Sequence, residues 1–271
     1  ELRRAATRPA ENLAAYDHLL RGRQCLNRYT KVGELEARQH FEQAIELDPN
    51  YAAAHAGLSI SYLHEYEANW SEAPEETLQR ASTLAQKAVA LDDADSSARY
   101  AISLVCYYRG QHELSKVHME KALELNPNDY HNICNLGWLL AFRNQPSESI
   151  ACSVEAMRLN PLVPDNCLFA IGIAEYVAGR YEEALAAFGK TRGWGLLRPA
   201  WIAACYAQLG RDTQAHAAAA EVRAIAPSDP SVPSEDNIER WHTYWSRLLR
   251  FEAEEDWSQF LDGLRKAGLP A

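Results

Sequence analysis

Long apolar runs and clusters of positive charge are the features that this sequence most clearly lacks. Its longest apolar run, Ala200 to Ala207, has eight residues, whereas a helix needs about 20 to span a bilayer. The chain has 27 basic and 37 acidic residues, a formal net charge of −10. Because neutralisation of phosphates supplies most of the affinity for nucleic acids, this balance predicts no nucleic-acid partner, and the short apolar runs predict no membrane span.

Paired C-x-x-C cysteines are absent as well. The six cysteines are Cys25, Cys106, Cys134, Cys152, Cys167 and Cys205, and several of them lie within apolar helical patterns. Isolated cysteines in such patterns are typical of buried, reduced thiols. This usage favours a reducing compartment and predicts a cytoplasmic protein.

Catalytic motifs are also missing. The tripeptide at 189–191, Gly-Lys-Thr, resembles the end of a phosphate-binding loop, but Ala184 stands where the first glycine of that loop belongs. His112 and His118 lie near Cys106 in the sequence without the i, i+4 spacing that places metal ligands on one helical face. We therefore expect no catalytic residue, no metal ligand and no cofactor in this chain.

The sequence does contain a motif that recurs about every 34 residues. Each copy has an alanine shortly before a Leu-Asp or Leu-Asn pair, usually followed by proline; the copies lie at 44–50, 88–93, 122–128 and 156–161. Pro127 and Pro161 are 34 residues apart, and Asp93, which takes the place of proline, is 34 residues before Pro127. A repeat of this period predicts stacked helical hairpins that bury their apolar faces against their neighbours and leave one long surface for binding.

The repeat resembles the tetratricopeptide repeat, whose pattern runs W-x-x-L-G-x-x-Y, then A-x-x-x-F, then P. The first copy has Gly22, Ala37, Phe41 and Pro49 at the offsets of that pattern. Further matches are Leu136, Gly137, Ala156 and Pro161 in the fourth copy, Gly172, Ala184 and Phe188 in the fifth, and Ala215 and Pro227 in the sixth. The resemblance implies an all-α fold: a right-handed tetratricopeptide superhelix, or α-solenoid, of about six hairpins followed by C-terminal capping helices.

The pattern predicts domain boundaries along the chain. A lead-in at 1–14 precedes a repeat array at 15–227, which is followed by a linker at 228–234 and by capping helices at 235–271; the predicted repeats are 15–50, 51–95, 96–129, 130–163, 164–195 and 196–227. Between Gly57 and Ala81 the chain has about twelve residues more than the pattern, which predicts a long excursion at 63–77. In the fifth repeat, glycines at 189, 193 and 195 predict a shortened second helix.

The two ends carry a second resemblance. Residues 1–23 and 260–270 are similar to the flanks of the repeat region in a set of bacterial multidomain proteins, where the repeats follow a module similar to the TolB N-terminal domain. The output domain of those proteins is either a class III adenylate/guanylate cyclase or a winged-helix DNA-binding domain, and the C-terminal Gly-Leu-Pro-Ala favours the cyclase relatives. The resemblance implies that this chain is a C-terminal region of a signalling protein. Paired metal-binding aspartates of a cyclase domain are not found here, so any cyclase activity belongs to the parent protein.

Helical projection places an aromatic stripe on the first helices of the middle repeats. In the tetratricopeptide family the first helices line the concave groove, so the resemblance implies a partner-binding role for these rings. The predicted groove residues are Tyr100, Tyr107, Tyr108, Trp138, Phe142, Phe169 and Tyr176, and Trp70 is a further contact residue from the excursion. Two interpretations stay open: packing between hairpins, or an apolar groove for a peptide or helix.

Together these features predict a non-catalytic module that binds a protein, a peptide or a neighbouring domain. The alternative is a small-molecule sensor with a pocket between the excursion and the groove, controlling a fused output domain. Near the C-terminus, Trp241, Trp245, Trp257 and Phe260 belong to amphipathic patterns. Such helices suit either a cap on the last repeat or the interface of a homodimer.

Overall fold

The computed structural model of the chain describes residues 10–162, 164–228, 232–233 and 238–271. Within these ranges the secondary structure is helical, with fourteen α-helices, no strand and a short 3₁₀ turn at Ala226–Ser228. The helices are α1 Ala10–Leu26, α2 Lys31–Leu47, α3 Ala52–Glu67, α4 Pro74–Leu91, α5 Ser96–Tyr108, α6 His112–Leu125, α7 Tyr130–Phe142, α8 Pro146–Leu159, α9 Pro164–Val177, α10 Tyr181–Phe188, α11 Leu197–Gln208, α12 Asp212–Ile225, α13 Ile238–Leu248 and α14 Glu254–Lys266.

The helices fall into two compact units. Unit 1, Glu1–Pro127, contains the hairpins α1/α2, α3/α4 and α5/α6, whereas unit 2, Asn128–Ala271, contains α7/α8, α9/α10 and α11/α12 followed by α13 and α14. The predicted boundaries of the individual repeats remain a prediction. Residues 1–9 of the predicted lead-in, residues 229–231 and 234 of the predicted linker, and residues 235–237 of the capping segment lie outside the described residues.

The turn inside each of the six hairpins has a residue with positive φ. These residues are Tyr29, Asn69, Gly110, Asn144, Gly179 and Gly210, with φ between 44° and 74°. Glycine adopts this left-handed conformation without a Cβ clash, and asparagine tolerates it better than most residues do. Tyr29 is the unusual member of the set, because a bulky side chain in this region indicates local strain.

Small residues let neighbouring helices approach closely around buried rings. In unit 1 the Phe41 side chain is fully buried, and a Cβ added at either Gly22 or Gly57 would lie 2.5 Å from its Cε1. Phe188 fills the same role in unit 2, 2.4 Å from a Cβ placed on Gly172. The repeat pattern of glycine and phenylalanine therefore reflects a ring that packs directly onto backbone.

The predicted excursion at 63–77 is shorter than expected, because its residues are mostly helical. α3 and α4 have 16 and 18 residues, against 13 and 14 in the next hairpin. A six-residue connection, 68–73, remains between them. Extending the two helices pairs backbone groups that a long loop would have to leave to water, and Pro74 occupies the first turn of α4, where its missing N–H costs nothing.

The second helix of the fifth hairpin is short, as the three glycines predicted. α10 ends at Phe188 after eight residues, and Gly193 and Gly195 both have positive φ. Trp194 between them also has positive φ, 67°. The segment 189–196 is therefore a compact loop in place of a helical turn.

The C-terminal segment, residues 251–271, folds back onto the first helices of all three hairpins of unit 2. The backbone N–H of Glu252 donates to the carbonyl of Phe142 on α7 at 2.9 Å, and Arg143 donates to the Glu252 carboxylate at 2.9 Å. On α9 the Tyr176 hydroxyl donates to the Gln259 carbonyl at 3.2 Å, and on α11 the Trp201 ring lies 4.4 Å from the ring of Phe260. This segment thus does more than cover the last hairpin, because it lies across the helix faces that were expected to form the groove.

Candidate functional site

Burial separates the seven predicted groove residues into two groups. Tyr100, Tyr108, Phe142, Phe169 and Tyr176 are all at most 7% exposed. Tyr107 and Trp138 are only partly buried. The first group is therefore buried in this structure, and only the second group has partly exposed rings.

Phe142 and Tyr176 are covered by the C-terminal segment of the chain itself. The ring of Phe142 makes an edge-to-face contact with Phe251 at 5.0 Å. Tyr176 packs edge-to-face against Trp201 at 5.1 Å and donates its hydroxyl proton to the backbone at Gln259. Burial of the phenol raises the pKa of Tyr176 well above its usual value. Neither ring is available to an external partner in this conformation.

Trp138, Phe169 and Trp194 form a cluster of three aromatic rings in mutual contact, here called the aromatic platform of unit 2. Trp138 lies parallel to Phe169, with centroids 5.5 Å apart and an interplanar angle of 7°. Trp194 stacks on Phe169 at 4.3 Å and contacts Trp138 at 5.3 Å. Phe169 is fully buried, whereas both tryptophans are half-buried. The platform therefore presents two large rings, held by a rigid base, to the surface.

Hydrogen bonds fix the loop that carries Trp194. Arg192 donates its backbone N–H to the Asp165 carboxylate at 2.9 Å, and Thr191 donates its hydroxyl to the Phe188 carbonyl at 2.8 Å. The side chains of Lys190 and Arg192, in the same loop, are exposed. A strained backbone residue that persists in a well-bonded loop often marks a functional site, so the positive φ of Trp194 draws attention to this surface.

Trp138 is held by its polar group as well as by its ring. Its indole N–H donates to the carbonyl of Asn166 at 3.2 Å. That contact joins α7 to α9 at the edge of the platform. Because the indole has one donor only, the exposed part of Trp138 offers a partner an apolar surface.

In unit 1 the predicted residues Tyr107 and Tyr108 belong to a separate cluster. Their rings make an edge-to-face contact at 5.2 Å, and Tyr108 contacts Tyr66 at 5.6 Å. Burial and the nearby negative charge of Glu67 raise the pKa of the Tyr108 phenol well above its usual value. Tyr108 therefore stays neutral and acts as a core residue, and Tyr107 lies at the margin of the cluster.

Trp70 contacts the strained turn of the first hairpin. Its ring is 5.9 Å from that of Tyr29, and Tyr29 is 5.0 Å from His64. Tyr29 is 47% exposed. The His64 imidazole also lies 2.9 Å from the carboxylate of Glu34, a residue that is only 2% exposed. Tyr29, His64 and Trp70 form the aromatic patch of unit 1.

Sequence reasoning missed Trp194 and Tyr29. The glycine neighbours of Trp194 indicate a helix break and nothing more, although a large ring between two glycines is itself a signal of an exposed, constrained side chain. Tyr29 has no comparable signal, since only the structure shows that it occupies the left-handed turn position. The cover over Phe142 and Tyr176 depends on long-range packing that no local pattern encodes.

Within the described ranges, no three His, Cys, Asp or Glu side chains come together in a way that could hold a metal ion. None of the helices described here is long and apolar enough to cross a lipid bilayer.

The geometry and the comparisons agree on the class of fold. Residues 96–129, which contain α5 and α6, match the family model for the tetratricopeptide repeat. A structure of PilF from Pseudomonas aeruginosa superposes with a TM-score of 0.56 at 17% identity, covering 82% of this chain and 96% of that one. A tetratricopeptide repeat protein from Parabacteroides merdae gives 0.54 at 14% identity, covering 94% and 92%. The chain therefore has the all-α tetratricopeptide repeat fold, which generally mediates contacts between proteins.

Among curated proteins, the chain is similar to one described as "Putative adenylate cyclase 3" from Rhizobium meliloti strain 1021. The two are 37% identical over 90 residues, which make up 33% of this chain. The match covers only 15% of the length of that relative. It supports the resemblance to bacterial proteins in which such repeats accompany a cyclase.

Proposed function

We propose that this chain is a non-catalytic interaction module that binds a protein segment or a neighbouring domain through the aromatic platform of unit 2. One observation carries the proposal: Trp138 and Trp194 are stacked on a buried ring and remain partly exposed. Partly exposed tryptophans packed on a buried ring can bury apolar area on binding without a large loss of side-chain freedom.

The chemistry of the surrounding loop favours an apolar segment that also carries negative charge. Lys190 and Arg192 are exposed in the loop that carries Trp194, in a chain whose formal net charge is −10. A partner with an aromatic or aliphatic anchor for the rings and an acidic flank for these cations would match both features. In this proposal the partner is part of a bacterial signalling protein, either as a separate chain or as another part of the parent protein. The free thiols support a cytoplasmic setting.

The test compares two tryptophan variants as bait. The double variant Trp138→Ala, Trp194→Ala removes the exposed rings, and Trp257→Ala removes a half-buried tryptophan of the same unit that lies outside the platform. Captured proteins are quantified by mass spectrometry, and the remaining part of the parent protein is added as a purified competitor. A partner lost only with the platform variant supports the proposal, whereas equal capture by both variants with unchanged helicity would refute it.

A second candidate is small-molecule sensing at the aromatic patch of unit 1. It is favoured by the contact between the strained Tyr29, His64 and Trp70 above the buried Glu34. A ligand at 100 times its dissociation constant stabilises the folded chain by about 2.7 kcal/mol. A thermal-shift screen of wild type against Trp70→Ala tests it, since true ligands should raise the melting temperature of the wild type alone.

The C-terminal tryptophans give little support to the homodimer alternative. Trp241 and Trp245 are at most 2% exposed, and they stack on each other within unit 2 at 5.5 Å. Rings that are buried within one chain offer no surface to a second copy. Light scattering after gel filtration gives an independent answer, and we propose a monomer at micromolar concentration.

A further inference from the structure

Two cysteine thiols meet inside unit 2. Cys134 lies on α7 and Cys167 on α9, and their Sγ atoms are 3.3 Å apart. Both residues are buried, with 5% and 2% of their surface exposed. All six cysteines, including these two, are free thiols in this structure.

The two sulfur atoms are in direct non-bonded contact. A disulfide has an S–S length of about 2.05 Å, so the two sulfur atoms need to approach each other by only a little more than 1 Å. The helices that carry them are already packed as first helices of consecutive hairpins. The geometry points to Cys134 and Cys167 as an oxidative modification site, where a low-molecular-weight peroxide converts the two thiols into a reversible disulfide.

The environment differs between the two sulfurs. The hydrogen bond between the two thiols lowers the pKa of Cys167, and the same hydrogen bond together with burial raises the pKa of Cys134. Cys167 is therefore the thiol that ionises first. Because the thiolate is the reactive form, Cys167 is the nucleophile toward the peroxide.

The reaction balances in two steps. The Cys167 thiolate attacks one oxygen of hydrogen peroxide, the O–O bond breaks, and hydroxide leaves and takes up the proton that Cys167 had lost, which gives a sulfenic acid and one water. The Cys134 sulfur then attacks the sulfenic sulfur, the S–O bond breaks, and the departing hydroxide takes the Cys134 proton as a second water. Two thiols have been oxidised by two electrons, and peroxide has been reduced to two waters.

The bond would join the two helices that hold Trp138. Trp138 lies one helical turn after Cys134, and Asn166, which accepts the Trp138 indole proton, immediately precedes Cys167. A disulfide at this position fastens α7 to α9 directly beside that hydrogen bond. The modification itself does not depend on the proposed partner.

Peptide mapping can test the pairing without ambiguity, because trypsin places each cysteine in its own peptide. Cys134 falls in residues 122–143, Cys152 in 144–158 and Cys167 in 159–180. The folded chain is treated with hydrogen peroxide, remaining thiols are blocked with N-ethylmaleimide in denaturant, and the digest is read by mass spectrometry. We expect a linked 122–143/159–180 pair that disappears after dithiothreitol.

Variants separate this pairing from general oxidation. Cys134→Ser and Cys167→Ser should each abolish the linked peptide, whereas Cys152→Ser and the buried Cys205→Ser should retain it. The oxidised wild type should melt at a higher temperature than the reduced form, and neither single variant of the pair should show this rise. A link to 144–158, over-oxidised Cys167 without any link, or a link that forms only in unfolded protein would overturn the assignment.

Discussion

Replacing Gly57 by alanine tests the packing that defines the repeat. The new Cβ would lie 2.5 Å from Cε1 and 2.6 Å from Cζ of Phe41, whereas carbon atoms in contact normally lie about 3.5–4.0 Å apart. Phe41 is fully buried, and Gly22 on the other neighbouring helix meets the same ring edge. The ring therefore has little space in which to retreat, because protein cores are closely packed.

Two opposing effects set the size of the change in the free energy of unfolding. Overpacking of this kind costs about 1–3 kcal/mol, and a contact 1 Å too short places this site in the upper part of that range. Alanine is favoured over glycine inside a helix by about 1 kcal/mol. We expect Gly57→Ala to lower the free energy of unfolding by about 1–2 kcal/mol.

A double-mutant cycle isolates the contact. Phe41→Leu removes Cε1 and Cζ, the two atoms nearest to the new Cβ, so in that background Gly57→Ala should be neutral or stabilising by up to about 1 kcal/mol. The free energies come from urea unfolding followed by circular dichroism. An equal loss of stability in both backgrounds would show that the Cβ–ring contact is not the cause.

Three further outcomes follow from local geometry and charge. Gly110→Ala should lower the free energy of unfolding by about 1–2 kcal/mol in urea unfolding, because Gly110 has φ of 71°. No atom lies within 4 Å of the new Cβ, so no steric cost is added to this backbone cost. Asn144→Gly, at an equivalent turn, should not lower the free energy of unfolding. Thr30→Ala should cost about 1 kcal/mol in the same assay, since its hydroxyl accepts the Gly33 N–H at 3.1 Å, and Thr30→Ser should retain most of that stability. Burial lowers the pKa of His40, His55 and His118 in the folded state, so the unfolded chain binds more protons as pH falls below about 6.5 and the melting temperature should fall with it. His55→Asn should flatten that dependence, and an unchanged slope would exclude His55 as a contributor.

The local rules of the repeat could be predicted from sequence because they act over short distances. The turns at Gly179 and Gly210 and the shortened α10 depend on glycine conformation, which neighbouring residues alone reveal. The contacts of Phe41 and Phe188 follow from the repeat spacing. This periodicity alone was sufficient to predict the all-α class.

The sequence pattern could not predict which rings of the aromatic stripe are exposed. Helical spacing brings Tyr100, Trp138, Phe169 and Tyr176 to corresponding faces, but it does not say whether a further segment covers them. Here Phe169 lies beneath two tryptophans, one of which comes from a loop 25 residues farther along the chain. Tyr176 is covered by residues about 80 positions away. Burial at these positions is a tertiary property.

Energetics explain why a partner would use the platform in preference to the covered helix faces. Reaching Phe142 or Tyr176 requires displacement of the C-terminal segment, whose Phe260, Leu261 and Leu264 are at most 4% exposed. At about 1.5–3 kcal/mol for each large apolar side chain, exposing these three residues alone would cost roughly 5–9 kcal/mol, or about three to six powers of ten in affinity. Trp138 and Trp194 are already partly exposed, so binding there does not require displacement of that segment. The C-terminal segment thus covers Phe142 and Tyr176 but leaves Trp138 and Trp194 partly exposed.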